Sequence, residues 1–172
     1  MILLTNGKNG SIIDTGGGGV DENISGASGA ILRNDTERMD AHAKRYYEEI
    51  RKRKSDIAAI AKNTGFSVED VEKVKKHVFI DTHDLGDEIP ERFAPDYDMA
   101  VSWQRLIDGK DIQEMDIVLL NHELMEYELM KQGLSYNEAH RIAEKSYNYN
   151  KYIDELDKNF KNKLDERGLQ NE

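Results

Sequence analysis

Cysteine is absent from this 172-residue chain, which removes disulfides, thiolate nucleophiles and cysteine-based zinc sites together. Proline is almost absent. Only Pro90 and Pro95 occur, so outside that stretch nothing bars long helices. No apolar run approaches the roughly 20 residues of a membrane span, and the opening Met1-Ile2-Leu3-Leu4 is also too short for a signal peptide. Positive charge is in deficit, with 24 Lys and Arg against 34 Asp and Glu and a formal net charge of -10. That balance argues against broad electrostatic capture of nucleic acid or of an anionic membrane. These absences lead us to expect a soluble intracellular protein with no membrane partner, unless another machine exports or packages it.

The residues that are present point to helices. A hydrophobic fraction of 38% beside a charged fraction of 34% suits a compact helical domain with a charged surface better than a dense all-β fold. The length suits one domain with a real core. The expected fold class is all-α, a compact bundle of about five or six helices with a disordered Gly-rich N-terminus. Residues 1–34 read as the flexible leader, because Gly16 to Gly19 and the Gly26/Gly29 pair lose much entropy on ordering. A phosphate-cradling loop is the sharper alternative there, but the Gly-Lys-Ser/Thr of that motif is missing.

Residues 35–150 read as the helical domain. Asn34-Asp35-Thr36 offers N-cap types for a helix to about Asn63, ended by Gly65. Its mid-helix run Arg51 to Lys54 could meet phosphate or an acidic partner, or be a solvated face paired with Glu48 and Glu49. Ser67-Val68-Glu69-Asp70 opens the next helix. Helical character fades over His77 to Asp84, where a short extended piece would put His77, Phe79, Asp81 and His83 on one side. Asp96 caps Tyr97 to Asp108, with the sole tryptophan, Trp103, as a core anchor. Ser135-Tyr136-Asn137-Glu138 is a capping box for a helix to about Tyr149. Residues 151–172 carry Tyr152, Ile153, Leu156, Phe160 and Leu164 at helical spacing, an amphipathic C-terminal helix that partly frays or awaits a partner.

Between these lies Asp111 to Gly133, the expected central helix. Ile112, Met115, Leu119, His122, Glu126 and Leu129 follow the three-four alternation of a buried stripe. Two ionisable side chains therefore occupy positions where that register calls for leucine. His122 and Glu126 are four apart, share a face and could hold a common ligand. Set against His140 and one of His77 or His83, they would form a metal or acid/base site, with Glu123 orienting a water. The candidate catalytic residues are thus His83, His122, Glu123 and His140, and the candidate ligands of a divalent metal are His122 and Glu126. A zinc-protease helix would need a second histidine where Glu126 stands. The same residues could instead form a buried hydrogen-bond network that fixes helix register. The acidic cluster Asp81, His83, Asp84, Asp87 and Glu88 lacks calcium-loop spacing and reads as solvated.

Several phrases occur together: Ile60 to Ser67; Arg92 to Ala100 with Ser102 to Leu106; Leu120 to Glu126; Glu138-Ala139-His140; and Tyr147-Asn148-Tyr149. Their order resembles a domain of Firmicute phages and prophages, found in minor head or head-morphogenesis (Mu F-like) proteins, and covers about residues 38–150. The resemblance implies a helical, phage-derived module acting by contacts with head or portal proteins or another protein, in the bacterial cytoplasm or the phage virion. That is the first expectation; the alternative arises because C-terminal modules of that group include some that resemble polymorphic toxins. In that reading the chain is an effector hydrolase or nuclease using the histidine/acid site. A nuclease would need a basic cleft, for which Arg92, Arg105 and Arg141 are the nearest candidates.

Overall fold

Helix α5 (Glu114–Lys131) runs through the middle of the fold, and most other elements pack on it. The computed structural model describes residues 31–86, 88–166 and 168. Among them are seven α-helices, one π-helical turn and no strand beyond a single antiparallel pairing of His83 with Glu91. The remaining helices are α1 (Thr36–Lys52), α2 (Asp56–Thr64), α3 (Val68–Lys75), α4 (Tyr97–Asp108), α6 (Tyr136–Ser146) and α7 (Tyr149–Glu166). The all-α expectation holds. No helix among the described residues is long and apolar enough to cross a membrane. The glycine-rich leader and its phosphate-loop alternative lie outside the described residues as far as residue 30, as does Asp87 of the acidic cluster.

The helix starts follow from side chains that satisfy orphan backbone donors. Asp35, Ser67 and Asp96 accept from the backbone N–H groups of Arg38, Asp70 and Met99. Ser135 and Glu138 complete the capping box of α6. At the other end of α4, Gly109 takes φ +65, and a Cβ there would lie 2.7 Å from the Asn63 side chain. Asn63 fills that space because its Nδ2 donates to the carbonyls of Leu106 and Ile107 at 2.9 and 3.0 Å. A residue of α2 thereby closes the C-terminus of α4.

The helix expected over residues 34–63 is two helices, separated at Arg53 to Ser55. Arg53 is extended (ψ 137), which ends α1 and leaves its carbonyl to accept from Lys75 Nζ. Asp56, fully buried at the start of α2, pairs with Lys75 Nζ at 2.8 Å and accepts from Trp103 Nε1 at 3.2 Å. The bend lets one carboxylate join α2, α3 and α4. Arg51, from the basic run, pairs with Glu48 and donates to the Phe79 carbonyl.

Around this junction lies the main core, which includes Tyr47, Ile50, Ile60, Phe79, Trp103 and Leu120. Trp103 is 1% exposed, the core anchor expected. Arg105 and Asp116 form a second buried ion pair, with Nε donating to Oδ2 at 2.8 Å, that fixes α4 against the start of α5. Helix α7 packs its Tyr149, Tyr152, Ile153 and Leu156 on Met115 and Leu119 of α5.

Two further departures from regular helix shape the interior. Residues Lys76–Ile80, expected to fade into an extended piece, form the π turn, closed by the Asp81 N–H on the Lys76 carbonyl at 2.8 Å. The widened turn buries His77, Val78 and Phe79 in succession, which a regular α-helical face could not do on one side. The helix expected to reach Tyr149 stops at Ser146, and α7 begins after Tyr147 and Asn148, with Asn148 Oδ1 accepting from the Lys151 N–H.

Replacing Asp56 with alanine strands a buried ammonium and an indole N–H. Asp56→Ala should lower the unfolding free energy by about 3–5 kcal/mol. Urea denaturation measures this, and a loss below about 1 kcal/mol would show that the junction does not hold the helices together.

Candidate functional site

Three separate pieces of chain deliver ionisable groups to one place. His122, Glu123 and Glu126 come from α5 itself, His77 from the π turn, and His140 and Glu144 from α6. Glu126 is the centre, only 2% exposed. Its Oε1 lies 2.9 Å from His77 Nε2, and its Oε2 lies 2.8 Å from His140 Nδ1 and 3.5 Å from His122 Nε2. Glu123 Oε2 is 3.8 Å from the same His77 nitrogen. His122, Glu123, Glu126, His140 and Glu144 line a cavity of about 280 Å³ walled also by Phe93, Met99, Tyr136, Tyr149 and Ile153. His140 is the most exposed of these ionisable groups, with its side chain 38% exposed.

Both irregular segments serve this cluster. The π turn aims His77 inward. The break after α6 leaves the Tyr147 carbonyl free of helix, and His122 Nδ1 donates to it at 2.9 Å. A carbonyl can only accept, so the Nδ1 hydrogen of His122 is committed there. His122 Nε2 then faces Glu126 Oε2 and, at 3.2 Å, His140 Nδ1. Two ring nitrogens therefore crowd one carboxylate oxygen. Either both carry hydrogens directed at the same acceptor, or a bare lone pair faces a carboxylate.

The electrostatics follow the same logic. Burial alone would depress the His122 pKa, but its hydrogen bond to Glu126 and the charge of Glu123 hold it at about 9, so it is an imidazolium when only protons are bound. Burial would raise Glu126, yet the hydrogen bonds from His122, His77 and His140 hold it below the ordinary carboxylate range. Glu123 has no such donors. Burial and the neighbouring Glu126 charge push it upward.

Of the residues singled out from sequence, His122, Glu123, Glu126 and His140 meet at this cavity. His83 stands one layer back. It is buried, its Nε2–H donates to the His77 carbonyl at 2.8 Å, and its ring stacks on Phe93, so it positions His77 rather than facing Glu126. Burial lowers its pKa, which keeps the imidazole neutral for that contact. His77 is the histidine that reaches the carboxylates. Glu144 was not anticipated, although His140 and Glu144 repeat the spacing of His122 and Glu126. Its buried Oε2 lies 3.5 Å from His122 Nδ1 and accepts no hydrogen bond. Arg105 is tied to Asp116, and Arg92 donates to the Ile80 carbonyl. Neither they nor Arg141 line the cavity.

The pKa of His122 lies above its ordinary 6.5, so its contribution to stability is complete below pH 6.5 and is lost as pH rises through about 9. Glu123, also raised, acts in the same direction. In chelator, the Tm should fall between about pH 6 and pH 10, and His122→Gln should remove much of that slope. A wild-type Tm that is flat or rises across this range would contradict the assigned charges.

Compared with protein-family models, curated proteins and solved structures, the chain finds no match in any of the three.

Proposed function

We propose that the chain is a metal-dependent hydrolase, with a divalent ion held by His122 Nε2, His140 Nδ1 and Glu126 Oε2. The observation that carries this reading is the triangle of those atoms, with sides of 2.8, 3.2 and 3.5 Å. Ligands bonded to a common ion at about 2.0–2.2 Å lie roughly 3.0–3.6 Å from one another. A cation at the centre also resolves the crowding, because both nitrogens and the oxygen then present lone pairs to it. The His122 Nδ1–H on the Tyr147 carbonyl is the outer hydrogen bond that fixes tautomer and ring orientation in metal-ligating histidines.

The chemistry such an ion supplies is Lewis acidity, which lets water ionise near neutral pH. Glu144, with a buried oxygen that accepts no hydrogen bond, is the base that takes the water proton. As the water oxygen bonds to a carbonyl carbon, the bond to the leaving group breaks, and Glu144 returns the proton to that group. Phe93, Met99 and Ile153 supply an apolar wall. Asp96, Glu123, Glu126 and Glu144 line the cavity with no Lys or Arg among the described residues. That lining favours a neutral acyl substrate, an amide or ester, over a phosphodiester. The toxin-like branch of the resemblance agrees with such an enzyme, whereas the head-assembly branch rests on the sequence phrases alone.

The test uses chelator-treated chain reloaded with Zn²⁺ or Mn²⁺ and assayed on p-nitrophenyl acetate and a casein substrate. Metal-dependent turnover is expected. Glu144→Gln should keep the ion and lose about 10²-fold or more in kcat. Glu126→Gln should lose the ion itself, with helicity retained by circular dichroism. Turnover that is equal with and without metal, or unaffected by Glu126→Gln, would overturn the assignment.

A further inference from the structure

We infer that the site takes two divalent cations bridged by Glu126, the second held by His77 Nε2, Glu123 Oε2 and Glu126 Oε1. The inference rests on the metal-dependent reading above and extends it to atoms that the first ion does not use. The two oxygens of Glu126 face different ligand sets. Oε2 is turned to His122 and His140, and Oε1 to His77 at 2.9 Å. His77 Nε2 is at the same time 3.8 Å from Glu123 Oε2. One ring nitrogen carries at most one hydrogen, yet it faces two buried carboxylates, one turn apart on α5 and 8% and 2% exposed. Burying like charges together is costly unless a cation lies between them.

Two groups among the described residues, with no residue in common, gather ligand atoms closely enough for an ion, namely His122, His140 and Glu144, and His77, Glu123 and Glu126. Glu126 Oε2 reaches the two histidines of the first group as well. The first set takes in the base of the proposed reaction, and the two sets adjoin through Glu126. A carboxylate whose two oxygens each bind one cation holds them roughly 3.5–4 Å apart, the spacing of two-metal hydrolytic sites. The donors are imidazole and carboxylate with no thiolate, which suits Mn²⁺, Fe²⁺ or Zn²⁺.

The second position has its own support. The His83 Nε2–H on the His77 carbonyl, at 2.8 Å, fixes the π turn that carries the ligand. On the far side His77 lines another cavity, of about 380 Å³, with Asp81, Thr82, His83, Asp84 and Tyr127. Charge agrees with this count. Two divalent ions balance the carboxylates of Asp96, Glu123, Glu126 and Glu144, leaving no surplus positive charge for a polyanion. The inferred pair thus favours the same neutral acyl substrates.

The full chain, stripped with chelator and equilibrated with Mn²⁺, tests this by metal counting and electron paramagnetic resonance. Two Mn²⁺ per chain with a spin-coupled multiline signal are expected. His77→Ala, and the near-isosteric Glu123→Gln should the first fail to fold, should reduce the count from two to one and restore an uncoupled six-line signal. One Mn²⁺ in the wild type would overturn the second position and leave the hydrolase reading standing. No bound Mn²⁺ would overturn both. Two ions retained in both variants would place the second ion elsewhere and sink the inference.

Discussion

A carboxylate that cannot reach water sets the terms for this structure. Glu126 is 2% exposed, and an unpaired charge at such depth would cost several kcal/mol. The chain answers with imidazoles from three directions. His122 comes from the same helix, His140 from the helix that follows, and His77 from the turn after α3. The positions of α6 and of the π turn relative to α5 are therefore tied to one side chain. Apolar packing alone would tolerate small slides of these elements, but the ring nitrogens would not.

The irregularities of the backbone make sense in that light. A regular helix through residues 76–80 would not bury His77 and Phe79 together, the one toward Glu126 and the other into the ring cluster with Tyr47 and Trp103. A continuous helix from Ser135 onward would align the Tyr147 carbonyl with its own axis rather than turn it toward His122. The structure yields regular hydrogen bonding at two points and gains an oriented histidine at each. The Asp56 junction and the Arg105–Asp116 pair hold the helices by separate ion pairs that do not include the Glu126 cluster.

Much of this was legible in the residues. Asp35, Ser67, Asp96 and Ser135 announced their helices because capping is local chemistry. Gly65 and Gly109 ended theirs for the same reason. The break at Arg53 was not legible, since Arg51 to Lys54 are good helix formers and the decisive partner, Lys75, is remote in sequence. His77 was obscured by Val78 and Ile80, whose β-branching suggested an extended piece. An extended piece would put His77 and His83 on one side and give no ground for choosing between them, whereas the π turn brings His77 to Glu126 and leaves His83 behind it. Glu144 carried a usable signal, the second His-x-x-x-Glu spacing that it forms with His140. What sequence could not supply was the convergence itself, which depends on how α5 and α6 pair.

The claim at the centre is that His122, His140 and Glu126 hold an ion rather than only one another. Crystals of the full chain grown with Mn²⁺ and measured near the manganese absorption edge examine this directly. The account predicts an anomalous peak about 2.0–2.3 Å from His122 Nε2, His140 Nδ1 and Glu126 Oε2. An empty centre with the three side chains hydrogen-bonded to each other at saturating Mn²⁺ would contradict it.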